Sequence, residues 1–270
     1  MDLWAVLRIL LAVLVYFAAA ALSVVVSRQL GADLKSMEGR ASAAIQVVGI
    51  AANALVFGLV VVLLVFLDKR RPSALGIRFD LKDAGFLLSA SAAAFGTALV
   101  FVAAAARVRQ PRVHVRRTGI DGRKAVVLAA ASVLLLTVAL QEETLFRGYI
   151  GVNMAMTSPW VVLLVTSVIF TAIHFPTNVA SPWQALGWFV SGLLLGASYL
   201  LSGSIWIAVG IHFVTDFLNV LVFNVAGKAS MYEFEPPLTP AHRTLFRLLQ
   251  GVVTVCLLIL FYGTGFKAIG

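Results

Sequence analysis

Eight apolar stretches, centred near Val13, Leu55, Ala94, Leu140, Val165, Gly192, Val214 and Leu257, take up nearly all of this chain. A run of about 20 apolar residues crosses a bilayer as a helix, because hydrocarbon offers no partner for an unpaired backbone N–H or C=O. With 61% hydrophobic and 12% charged residues among 270, no hydrophilic region is left that is long enough for a soluble domain. The expected fold is therefore all-α: a polytopic transmembrane helical bundle of about eight spanning helices, multi-pass in the cell membrane. No internal repeat or low-complexity tract is visible. The first run, Leu3 to Val26, is longer than the apolar core of a signal peptide and reads as a retained anchor. The third helix, around Ser89 to Ala106, is rich in Ala, Ser and Gly, whose small side chains let membrane helices approach closely.

The net charge of +9 arises from lysines and arginines spread over the connections, with clusters at Lys69 to Arg71 and Arg107 to Lys124; Arg243 and Arg247 are counted with these loop charges. Such placement suits anionic lipid headgroups and topology signals, and gives no reason to invoke nucleic acid. The basic residues divide between both sides of the membrane, so orientation stays open. Trp160, Trp183 and Trp206 open the fifth, sixth and seventh helices and read as interfacial anchors. The single cysteine, Cys256, rules out an intramolecular disulfide and a multi-Cys metal site.

Against this background the fourth helix is anomalous: it carries Glu142, Glu143 and Arg147. Each centrally placed charge penalises insertion by roughly 2.5 to 3.5 kcal/mol, so such residues face a packed interior or a wet cavity. Further buried polar residues fall at the end of the fifth helix, Phe170 to His174, and on the seventh, where His212 and Asp216 are followed by Asn219. Residues four apart share a helix face. Glu143 and Arg147 can thus neutralise each other, which leaves Glu142 turned away and free, and His212, Asp216 and Asn219 project from one stripe. His114, in the basic connection after the third helix, reads as solvated. For Asn219, helix packing is the simpler role.

A desolvated glutamate suits a general base that takes a proton from water and returns it to a leaving amine, while histidines and an Asx side chain supply donors to an oxyanion or orient one another. No serine or cysteine is placed as a nucleophile, so the kit fits hydrolysis of an acyl bond by activated water. Buried Glu, Arg and His are also ordinary in a proton-coupled carrier, although paired discontinuous helices in repeated halves are not found. A non-catalytic immunity or scaffold protein is the third reading.

The three motifs resemble those of the CPBP family of intramembrane proteases, also called the Abi or CAAX-prenyl-protease-2-like family. EExxxR stands as Glu142, Glu143 and Arg147, FxxxH as Phe170 and His174, and HxxxN/D as His212 and Asp216. The resemblance implies a catalytic core over residues 124–224, preceded by helices 1–3 with their basic loops (1–123) and followed by a loop and the last helix (225–270). It implies a glutamate-dependent endopeptidase acting on a membrane-associated or lipidated substrate. Glu142 with His174 would activate water, His212 and Asp216 would shape the oxyanion site, and Glu143, Arg147, Phe170 and Asn219 would support them. Asp216 stands where the members most similar to prenyl-protein proteases have Asn. Ionised Asp cannot donate to an oxyanion, so Asp216 is either protonated or orients His212. A bound Zn²⁺ would take Glu142, His174 and His212 as ligands, although no HExxH helix is present.

Overall fold

The computed structural model describes residues 3–30, 43–108, 114–117, 119–175, 181–222, 232–235 and 240–267. These form eight rods. We label them α1 (Leu3–Gln29), α2 (Ala43–Val62, continued by a π-helical turn at Leu63–Leu67), α3 (Leu81–Val108), α4 (Gly122–Glu143, continued as π-helix over Thr144–Ile150 and closed by Gly151–Asn153), α5 (Pro159–Ala172), α6 (Pro182–Ser202), α7 (Ile205–Asp216, with a π-helical Phe217–Val222) and α8 (Pro240–Tyr262). Six have the length and apolarity of a membrane span, and Pro159–Ala172 and Ile205–Val220 are shorter apolar helices. The polytopic, all-helical expectation holds, and the chain is an integral multi-pass membrane protein. One feature outside the bundle was not foreseen. The α3–α4 and α7–α8 connections pair as a two-stranded antiparallel ribbon, β1 (His114–Arg117) against β2 (Tyr232–Glu235). His114 sits in β1, and its side chain, like those of most of the Arg107 to Lys124 basic cluster, lies outside the described residues.

Local chemistry sets the helix ends. Asp121 caps α4 by accepting from Lys124 N at 2.7 Å. Ser181 and Gln184 form a reciprocal capping box on α6, with Pro182 in the first turn, and Gly203 closes α6 in a left-handed conformation that a Cβ would strain. Pro159 starts α5, and His174 falls in the turn after its last helical residue, just ahead of Phe175 and Pro176.

One face of the bundle gathers the α2–α3 and α6–α7 connections and the segment after α8. Arg8 Nη1 meets Asp68 Oδ1 at 3.1 Å, Ile205 N donates to Gly76 O at 3.0 Å, Arg78 Nε donates to Gly203 O at 3.2 Å, and Lys267 Nζ donates to Ser202 O at 2.6 Å. Trp160 and Trp183 are 64% and 52% exposed, as anchors should be. Trp206 differs: it is half-buried against Ala139, Tyr199 and Val209, because α7 is packed between its neighbours and presents little of itself to lipid.

Candidate active site

α4 brings seven consecutive residues, Thr144 to Ile150, into the core, all of them buried. This is the π-helical stretch. Its i→i+5 pattern widens the turn and slows the rotation of side chains, and such segments recur at functional sites. Arg147 within it and Glu143 just ahead of it are fully enclosed and joined at 3.1 Å, and Arg147 Nη2 also donates to Gly192 O on α6 at 3.1 Å. The guanidinium carbon lies 4.7 Å from the centroid of the Phe170 ring.

Glu143 does more than the spacing suggested. The Oε1 atom that accepts from Arg147 also stands 2.8 Å from His212 Nδ1, across 69 positions of sequence. A carboxylate can only accept, so Nδ1 carries the hydrogen, and the other ring nitrogen is turned toward two carboxylates: Asp216 Oδ2 at 3.4 Å and Glu142 Oε2 at 4.0 Å. His212 is thus the hub of the cluster. Glu142 is not free, since the Tyr16 hydroxyl of α1 donates to its Oε1 at 3.5 Å.

The second histidine joins through an aromatic ring. Phe170 contacts both imidazoles, with centroids 4.8 Å from His174 and 6.0 Å from His212, and meets Phe146 edge-on at 5.7 Å. His174 Nδ1 donates to Phe170 O at 2.7 Å, and its ring stacks on Trp188 at 5.0 Å. Counted from Trp160 and Trp206, the histidines fall at different depths. The 14-residue α5 and its following turn bring His174 back beside α7, where both rings flank Phe170.

Two cavities meet at this cluster. One, of about 100 Å³, is lined by Phe170, His174, Trp188, His212, Asp216 and Arg247 among others from α3, α6 and α8. The second, of about 200 Å³, lies between α1, α2 and α4 and has Glu142, Gln141, Tyr16 and Asn53 on its wall. Either could hold several waters. Asn219 is buried but bonds within its own helix, Nδ2 to Thr215 O at 2.8 Å. The π-turn that begins at Phe217 takes it off the stripe shared by His212 and Asp216, and it lines neither cavity.

Sequence reasoning missed three participants. Tyr16 reaches Glu142 from a helix with no motif, and Trp188 supports His174 from α6. Arg247, counted with the loop charges, instead lies inside α8 and on the cavity wall. Its signal was present as Arg247, Gln250 and Thr254, a polar stripe at helical spacing in an apolar run.

For a metal, the fit is poor. Both nitrogens of His212 face carboxylates at hydrogen-bond or near ion-pair distance, and His174 and Glu142 line different cavities. Among the described residues no three His, Cys, Asp or Glu side chains stand as a ligand set.

The family model described as Rce1-like, type II CAAX prenyl endopeptidase, matches residues 124–218. No curated protein and no solved structure matches the chain. The matched segment contains all three motifs and ends before Asn219 and Arg247. Over this core the chain is similar to the type II CAAX prenyl endopeptidases.

Proposed function

We propose that the protein hydrolyses a peptide bond of a membrane-associated, prenylated or otherwise lipidated protein or peptide, with water activated by Glu142. The observation that carries this reading is the approach of a buried carboxylate, Glu142, to a histidine whose ring is held from the other side by Glu143. Glu142 lines one cavity and His212 the other, and their side chains come within 4.0 Å. The reacting carbonyl belongs at that junction.

In the proposed reaction Glu142 takes one proton from water as the oxygen adds to the carbonyl carbon, then delivers that proton to the nitrogen as the C–N bond breaks. The products are a carboxylic acid and an amine. His174 assists in positioning the water. His212, its Nδ1–H committed to Glu143, meets the tetrahedral oxygen from the Nε2 side when that nitrogen is protonated. The 3.4 Å separation of Asp216 from Nε2 favours an orienting role for Asp216 over direct donation to the oxyanion. Glu143 and Arg147 are positioning residues.

The test compares protein termini in membranes from cells that express wild type or an equal, folded amount of Glu142→Ala. Termini present only with wild type support the reading and name a substrate. Identical sets in cells that supply prenylated proteins contradict it and move weight to a carrier or scaffold, which ion-coupled uptake into vesicles would then separate.

A further inference from the structure

The cavity between α1, α2 and α4 is built largely by helices that precede the matched segment. Along α1, Tyr16, Ala20, Ser23 and Ser27 follow one another at helical spacing, and along α2 so do Gln46, Gly49, Asn53 and Val56. All of them except Ser27 and Gln46 line the cavity, together with Gln141 and Glu142 of α4. Ser27 and Gln46 carry the two stripes on toward the end of the bundle where α1 finishes and α2 begins, and both are buried, 2% and 4% exposed. Polar groups thus run from that end inward to Glu142. The Asn53 amide donates to Thr137 Oγ1 at 3.3 Å, and the Tyr16 hydroxyl to Glu142 itself. Gln141, 3% exposed, stands on the same wall, and its Oε1, like that of Gln46, is buried with no hydrogen-bond partner among the described residues.

Polar side chains that only glue helices together bond to one another. Two buried amide oxygens left open on one track ask instead for a small donor, at a depth where an unmet acceptor is costly. Water fits. The cavity, about 200 Å³, has room for several molecules, and Tyr16, Ser23, Asn53, Gln141 and Glu142 give each the two or more polar partners it needs. From Ser23 to Tyr16 the track covers seven residues of α1, about 10 Å. Hydrolysis consumes one water per turnover, and a substrate seated over His174, Trp188 and His212 fills the other cavity while its bond is cut. We propose that the α1–α2–α4 cavity is the water chamber of the site: it holds a file of water that replaces the molecule spent at Glu142, from the side opposite the substrate. This rests on the proteolytic reading above and deepens it: α1 and α2 supply the second reactant.

The experiment uses the full chain in nanodiscs with a farnesylated CAAX peptide. Ala52→Leu puts a larger side chain on the cavity wall, and Gln141→Leu keeps the volume of that wall while removing its polar group. In both, kcat is expected to fall roughly tenfold or more, as when a positioned reactant is lost, with KM unchanged and, for Gln141→Leu, no fall in melting temperature. A second readout needs no catalysis. Brief X-ray radiolysis makes hydroxyl radicals from water in place, and Tyr16 stands at the middle of the 27-residue apolar α1, away from bulk solvent. Tyr16 should be oxidised in wild type and protected in both variants. Wild-type kcat in the folded variants, a rise in KM alone, which would seat substrate in the chamber, or oxidation of Tyr16 that is absent from wild type or unchanged in the variants, would each overturn the proposal. Oxidation that the variants abolish, without peptide cleavage by wild type, leaves the hydrated chamber standing and removes the protease reading; cleavage at the wild-type rate in both variants does the reverse.

Discussion

Glu142 and Glu143 are adjacent in sequence and opposite in consequence. Glu143 is fully buried, shared by Arg147 and His212, and holds the Arg147 guanidinium at ion-pair distance. Removing one partner of such a pair leaves an uncompensated charge, a loss of about 3 to 5 kcal/mol. Glu143→Gln is accordingly expected to lower the melting temperature in detergent and to reduce activity with it. Glu142→Gln keeps shape and volume and removes only the base. Its melting temperature should stay near wild type while turnover falls by roughly 10² to 10⁴, a contrast that paired melting curves and rates would check. At this scale the sequence was legible where partners are four apart, as Glu143 with Arg147 and His212 with Asp216. It was silent on the bond from His212 to Glu143 and on Tyr16, because those contacts join helices far apart in the chain.

Between elements, two details place the site. α4 changes from α- to π-helix inside its motif, at Thr144, and α7 directly after its own, at Phe217. Nothing in the apolar pattern announces this, since helical periodicity reads much the same through one widened turn. The spacing rule therefore worked for Glu143 and Arg147 and failed for Asn219. The second detail is the α5–α6 contact. A Cβ on Gly192 would lie 3.0 Å from Ser167 Cα and Cβ, and the same glycine's carbonyl receives Arg147. Backbone cannot yield there as a side-chain tip can. Gly192→Ala is expected to cost about 1 to 3 kcal/mol of stability, whereas Gly58→Ala, with nothing within 4 Å of its Cβ, should be neutral by the same melting assay. Helix number and approximate position were readable from apolar length alone. The brevity of α5 was marked by Pro159 and Pro176, and it is this brevity that sets His174 beside Phe170 and His212.

Taken whole, the bundle puts the segments after α2, α6 and α8 on one face and the α3–α4 connection on the other. In a Cys256→Ser background, Lys69→Cys and Lys267→Cys should react with an impermeant thiol reagent from the same side of sealed vesicles, and Asp121→Cys from the opposite side. Labelling of Lys267→Cys from the side of Asp121→Cys, opposite Lys69→Cys, would show that one of the two short helices, α5 or α7, does not cross. The same arrangement gives the site its character: charged side chains from α4, α7 and α8 meet among apolar walls, where water is scarce and each hydrogen bond counts for more. The central claim is that Glu142 activates water for peptide-bond cleavage there. Its most direct test is hydrolysis of a farnesylated CAAX peptide in H₂¹⁸O by purified wild type and by equally folded Glu142→Gln. We expect one ¹⁸O in the new carboxylate from wild type and no product above background from the variant; a variant that cleaves at the wild-type rate would contradict the account.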